Sequence, residues 1–192
     1  LVVELIGGTG VAKDLVKQSL LNGKHVVTAN KALIAIHGEE LFRTAEENSV
    51  NLAYEAAVAG GIPIIKAVRE GLAGNKIEWI AGIMNGTTNY ILTEMKDNNL
   101  SFDIALKQAQ ELGFAEADPT FDIEGIDAAH KITILASIAF GIPINFDAVY
   151  IEGISSLAQK DITYAEELGY RIKLLAIAKS DKNSVEIRVH PT

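Results

Sequence analysis

Leu1-Val-Val-Glu-Leu-Ile-Gly-Gly-Thr-Gly10 is an apolar strand running straight into a glycine turn, and its reading decides the fold class. Residues 12–21 follow as a helix that ends at Asn22-Gly23, with glycine at the position just past a helix where it is favoured. His25-Val-Val27 is a second short strand, and Thr28-Ala-Asn-Lys31 opens a second helix. This β–α–β–α alternation predicts a doubly wound α/β unit, in which ligands gather beyond the carboxyl ends of the strands. Gly7 and the run from Thr28 to Lys31 both stand at such ends. The glycines have two readings: a tight turn, or backbone N–H groups offered to a phosphate. They do not fit G-x-G-x-x-G. Lys31 also has two readings, a solvated first-turn lysine that the helix dipole disfavours, or a cation facing a ligand cleft.

Working outward, residues 38–48 read as a polar amphipathic helix with Leu41, Phe42 and Ala45 on its buried stripe. A strand over 51–54 leads into Glu55-Ala-Ala-Val-Ala-Gly-Gly-Ile-Pro-Ile-Ile65, a turn or a place of close backbone approach. The character of the chain changes near Pro63, where a domain boundary is expected. Beyond it the sequence predicts a helix over 64–72, a strand over 76–83 with the lone Trp79, and a helix from Asn85-Gly-Thr-Thr-Asn-Tyr90 to Met95. Helix-opening hydroxyls are caps, or donors placed against a small polar substrate. A helix over 101–112 stops at Gly113, and a buried one over 126–140 stops at Gly141-Ile-Pro143. A short helix over 162–167, strands over 171–179 and 185–189 and a turn over 181–184 close the chain.

The run from Leu112 to Lys131 carries five carboxylates, Glu116, Asp118, Asp122, Glu124 and Asp127, and ends on a single lysine. Asp118-Pro119 marks a turn, and Asp122 is the expected N-cap of the following helix. Asp127 and Lys131 are four apart and so share a helix face. One reading is an acidic helix start with a solvated ion pair. The other is a polar pocket in which acids grip an ammonium and a lysine moves a proton, because charges abutting an apolar helix are costly unless paired and used.

Composition narrows the classes. The chain has 192 residues, net charge −8, 48% hydrophobic and 22% charged residues, which fits one domain or two small ones and argues against nucleic acid. No cysteine is present, so thiolate metal sites and thioacyl catalysis are excluded. The four histidines show no metal spacing. No apolar run reaches membrane-span length, and a cytoplasmic enzyme is expected. Both ends of the chain read as cut from a longer protein.

The stretch Ala115-Glu-Ala-Asp-Pro-Thr-Phe-Asp-Ile-Glu-Gly-Ile-Asp-Ala-Ala-His-Lys131 resembles the homoserine dehydrogenases, and Asn30-Lys31-Ala-Leu33 matches the same family. The resemblance implies a partial Rossmann-like nucleotide-binding domain over 1–62, then an α+β substrate and dimerisation domain with a mixed sheet over 63–192. It implies NAD or NADP as cofactor, a homodimer, and the interconversion of homoserine and aspartate 4-semialdehyde on the route to threonine, methionine and isoleucine. Lys131 would be the proton shuttle and Lys31 a second candidate. Glu116 would pair the substrate ammonium, Asp127 would hydrogen-bond the substrate, and Asp122 would support the lysine's surroundings. Gly86, Thr87 and Phe114 would line the substrate, with Phe114 standing where some relatives have tyrosine. Gly7, Gly8, Thr9, Asn30 and Lys31 would meet the cofactor. Glu55, Val58, Gly60 and Ile62 would bind a sodium or potassium ion, mainly through carbonyl oxygens. The family's G-x-G-x-x-G unit and its final segment are both missing. Two rivals stand: aspartate-semialdehyde dehydrogenase, which needs the absent cysteine, and a non-catalytic oligomerisation or regulatory domain, which predicts a broken lysine–acid set.

Overall fold

A computed structural model describes residues 1–182 and 184–192. The chain divides into two compact units, Leu1–Glu78 with His130–Ala148, and Trp79–Ala129 with Val149–Thr192.

The first unit holds a three-stranded parallel sheet, β1 (Val2–Glu4), β2 (Val26–Thr28) and β3 (Leu52–Ala53), in that order. Val2, Val26 and Leu52 lie in register across it. Helix α1 (Val11–Leu21) buries Ala12, Val16 and Leu20. It ends at Asn22 before Gly23, whose φ of +67° is one that glycine adopts without steric cost. Helix α2 runs unbroken over Lys31–Glu47, so the helix expected from Gly38 is its second half. Gly38 is there for packing: a Cβ on it would lie 2.8 Å from the tip of Ile144. The 130–148 stretch belongs to this unit. Helix α3 (Ile64–Lys66) is followed by a wider π-helical turn over Ala67–Gly71, where a single helix was expected.

The second unit is built on a mixed sheet. Strand β4 (Trp79–Gly82), shorter than expected, pairs antiparallel with β6 (Leu174–Ser180), and β6 pairs antiparallel with β7 (Val185–Pro191). Strand β5 (Tyr150–Ile151) joins β7 in parallel. The turn expected over 181–184 includes Asn183, which lies outside the described residues. Helices α4 (Gly86–Asp97), α5 (Phe102–Glu111), α6 (Thr120–Ile123) and α8 (Gln159–Glu167) complete the unit, and α4 and α5 bury Ile91, Leu92, Met95, Ala105 and Ala109. Helix α7 (Ile126–Phe140) begins in this unit and continues into the first. Among the described residues, no helix is long and apolar enough to cross a membrane.

Candidate functional site

In the first unit the strand ends are tied together by one buried acid. Glu4, only 3% exposed in an otherwise apolar strand, accepts hydrogen bonds from the Thr28 hydroxyl (2.5 Å) and the N–H groups of Ile6 (2.7 Å) and Gly7 (3.0 Å). Burial alone would push this carboxyl up, but the donors on Thr28, Gly7, Ile6 and Asn30 outweigh it and hold the group below its usual range. Asn30 Nδ2 donates to the Gly8 carbonyl (2.7 Å), and Asn30 Oδ1 caps α2 at the Leu33 N–H (3.1 Å). Gly7 and Gly8 have φ of +82° and +73°, a conformation that suits glycine. The structure thus links Gly7, Gly8 and Asn30, with Thr9 next in the turn and Lys31, half-buried, as the first residue of α2. Glu4 was overlooked at the sequence level. Its signal was there: a single acid in the strand, three residues before the glycines.

The loop after β3 is also held by an acid. Glu55 accepts from the backbone N–H groups of Ile65 (3.1 Å) and Lys66 (3.0 Å), so its carboxylate serves the start of α3. The carbonyls of Gly60 and Ile62 each accept one backbone N–H, from Ile62 (2.6 Å) and Ile64 (2.8 Å). A carbonyl has two lone pairs, so one remains on each for a hard cation. Val58 is buried, and Glu55, Gly60 and Ile62 help line an open hollow of about 390 Å³.

In the second unit, Asn85 brings two acids together. Its Nδ2 donates to Asp122 Oδ1 (2.7 Å) and to Asp127 Oδ2 (2.9 Å), while its Oδ1 caps α4 at the Thr88 N–H (2.8 Å). Asn85 and Asp127 are 6% and 5% exposed. Asp122 is not the N-cap of the long helix: it sits inside α6, and α7 starts only after Gly125, whose φ of +80° separates the two helices. Thr87, buried, donates its hydroxyl to the Phe114 carbonyl (2.7 Å), which leaves the hydroxyl oxygen as an acceptor. The Phe114 ring packs on Tyr90 at 5.0 Å, and Gly86 is the exposed first residue of α4. Glu116 is exposed, its loop held through its carbonyl by Gln110 Nε2 (3.1 Å), and its side chain makes no bond to the Asp122–Asn85–Asp127 set. Lys131, half-buried on α7 and four residues beyond Asp127 in the chain, belongs to the first unit. One amide thus holds a buried acid, Asp127, and a half-buried one, Asp122, side by side.

A sequence profile described as homoserine dehydrogenase matches residues 63–192, and one described as homoserine dehydrogenase, NAD binding domain, matches residues 1–55. The chain belongs to the homoserine dehydrogenase family. It is 63% identical over 191 residues to the homoserine dehydrogenase of Pseudomonas aeruginosa and 47% identical to that of Bacillus subtilis, covering all of this chain and 44% of each relative. The crystal structure of a homoserine dehydrogenase from Thiobacillus denitrificans superposes with a TM-score of 0.97 at 64% identity, over 100% of this chain and 44% of that one. A hyperthermophilic archaeal homoserine dehydrogenase in complex with NADPH superposes with a TM-score of 0.83 at 32% identity, over 100% of this chain and 55% of that one. The chain therefore spans about half the length of the relatives it matches. Membership of the family agrees with the architecture described above, a Rossmann-like α/β part followed by a part built on a mixed sheet.

Proposed function

We propose that this chain carries the catalytic part of a homoserine dehydrogenase, which interconverts L-homoserine and L-aspartate 4-semialdehyde with NAD or NADP. The observation that carries the reading is the acid pair Asp122–Asp127 held on the Asn85 amide, with Lys131 four residues along the same helix. A bound nicotinamide would supply the acceptor for the hydride of the alcohol carbon. The protein must then orient the alcohol and remove its hydroxyl proton. Lys131 is assigned that proton, as the side chain that shuttles it. Lys31 supplies a second cationic position. Asp127 and Glu116 share the recognition of an α-amino acid, Asp127 as hydrogen-bond acceptor and Glu116 as partner of the ammonium. Asp122 holds the lysine's surroundings, and Gly86 and Phe114 border the substrate.

The open glycine turn over Gly7, Gly8 and Thr9, tied to Asn30 at the start of α2, suits a dinucleotide at the strand ends. Carbonyls of Glu55, Val58, Gly60 and Ile62 suit a monovalent cation, with the lone pairs left on Gly60 and Ile62 in support. The same reading makes the protein a cytoplasmic homodimer with a boundary between its domains at residue 63. A non-catalytic scaffold has no use for an intact lysine and acid set.

The test is Lys131→Ala in the protein that carries this chain. Homoserine-dependent reduction of NADP should fall by about 10²-fold or more, with the KM for homoserine within a few-fold of its starting value. Undiminished turnover by the variant would overturn the assignment.

A further inference from the structure

We infer that Asn85 is the positioning residue of the acidic pocket, a single side-chain amide that sets the spacing and aim of Asp122 and Asp127. The inference deepens the reading of the same site and rests on it. An N-cap needs only an oxygen, and the Asn85 Oδ1 bond to the Thr88 N–H supplies it. Serine or threonine would serve that purpose as well. What only a side-chain amide adds here is the pair of N–H bonds on one nitrogen, and both are directed at carboxylates, at 2.7 Å and 2.9 Å. The two acids come from different elements, Asp122 from α6 and Asp127 from the first turn of α7, and Gly125 turns the chain between them. Two anions brought close repel, and a shared neutral donor lets them converge without placing a permanent cation between them. The two carboxylates are thereby held at a fixed spacing on one side of the pocket. Because Asn85 is 6% exposed and bonded on both ends of its amide, its rotamer is fixed by the helix it caps. The start of α4 thereby dictates where the acids point.

Two measurements test this. In Asn85→Ser the cap survives, but one short hydroxyl cannot serve both acids. The kcat/KM for homoserine should fall about tenfold to a hundredfold, the loss expected for bonds to charged groups, with the KM for NADP nearly unchanged. Asn85→Gln, which keeps the amide, should recover more of this loss than Asn85→Ala. A Ser variant with unaltered kinetics overturns the proposal. The second measurement needs no turnover. The two Asn85 amide protons should give separate magnetic resonances, one displaced by Asp122→Ser and the other by Asp127→Ser. If neither proton responds, or the same one responds to both, the clamp is refuted whether or not the Ser variant folds. If both respond as expected while the unchanged protein fails to oxidise homoserine, the clamp stands and the reading of the reaction falls instead.

Discussion

Glu4 and Glu40 are both carboxylates held below their usual range, yet they reach that state by opposite routes. Glu40 is drawn down to about 2 by hydrogen bonds from Lys13 and Lys17, at 2.8 Å and 2.5 Å, on a side chain still 33% exposed. Glu4 is buried and held by hydroxyl, amide and backbone N–H donors, none of them a cation. In each case the folded value lies below the ordinary 4.5, so the stabilisation is complete above pH 4.5 and is lost as the pH falls through the lowered folded value. The sizes should differ. Glu4→Gln keeps an oxygen for the Ile6 and Gly7 N–H groups but sets an NH2 donor where the Thr28 hydroxyl now donates, and should cost about 1–3 kcal/mol near neutral pH. Glu40→Gln should cost less than about 1 kcal/mol, since water and salt screen an exposed cluster. Urea unfolding at several pH values checks both: the Glu4 deficit should shrink as the pH falls below 4.5, and the Glu40 deficit should also shrink with added salt. Equal costs for the two would contradict this division. The sequence places Glu4 in a strand but not beside Thr28, which is 24 residues away, and a bond at that range leaves no periodic trace.

At the scale of elements, glycine fills two different roles that look alike in the sequence. Gly38 lies mid-helix, and the atom its Cβ would crowd at 2.8 Å is the end of the flexible Ile144 side chain. Gly153 lies just past β5, where a Cβ would strike the Ile123 carbonyl at 2.5 Å and the Glu124 Cα at 2.6 Å, both backbone. Ile154 N–H bonds to that same Ile123 carbonyl at 2.8 Å, so the close approach docks the β5 segment onto α6. Gly38→Ala should be within about 1 kcal/mol of neutral, since the gain in helix propensity offsets a small shift of Ile144. Gly153→Ala should cost about 2 kcal/mol or more and should also reduce homoserine turnover, because Asp122 is carried on α6. Thermal unfolding of the two variants, with activity assays, checks the ordering. Helix α2 could be read from its period but not its continuity through Gly38, because the reason for that glycine lies in a residue more than a hundred positions away. The amide clamp escapes the sequence for the same reason, since Asn85 reaches its partners across 37 and 42 residues.

For the molecule as a whole, the alternation of strands and helices in the first 31 residues was enough to predict the parallel sheet, because its signal is local periodicity and turn chemistry. Which faces of that sheet are covered was not legible. Val26 and Thr28 are buried beneath the helices, whereas Val3 and Val27 are 59% and 37% exposed. Val3 pairs with Val27 and Val27 with Ala53, which is exposed as well, so the three form one row on one face. Parallel sheets are ordinarily covered on both faces, and an apolar row left in water favours association. The 192-residue chain prepared alone should therefore bind an apolar fluorescent dye and self-associate as its concentration rises. Its net charge of −8 opposes that association, so added salt should strengthen it. Replacing Val3 and Val27 together by threonine keeps the β-branched shape that strands favour and makes the row polar. The double variant should bind less dye and sediment as a smaller species at the same concentration. If dye binding and sedimentation are both unmoved, the attraction lies elsewhere on the surface and the exposed row has no part in it.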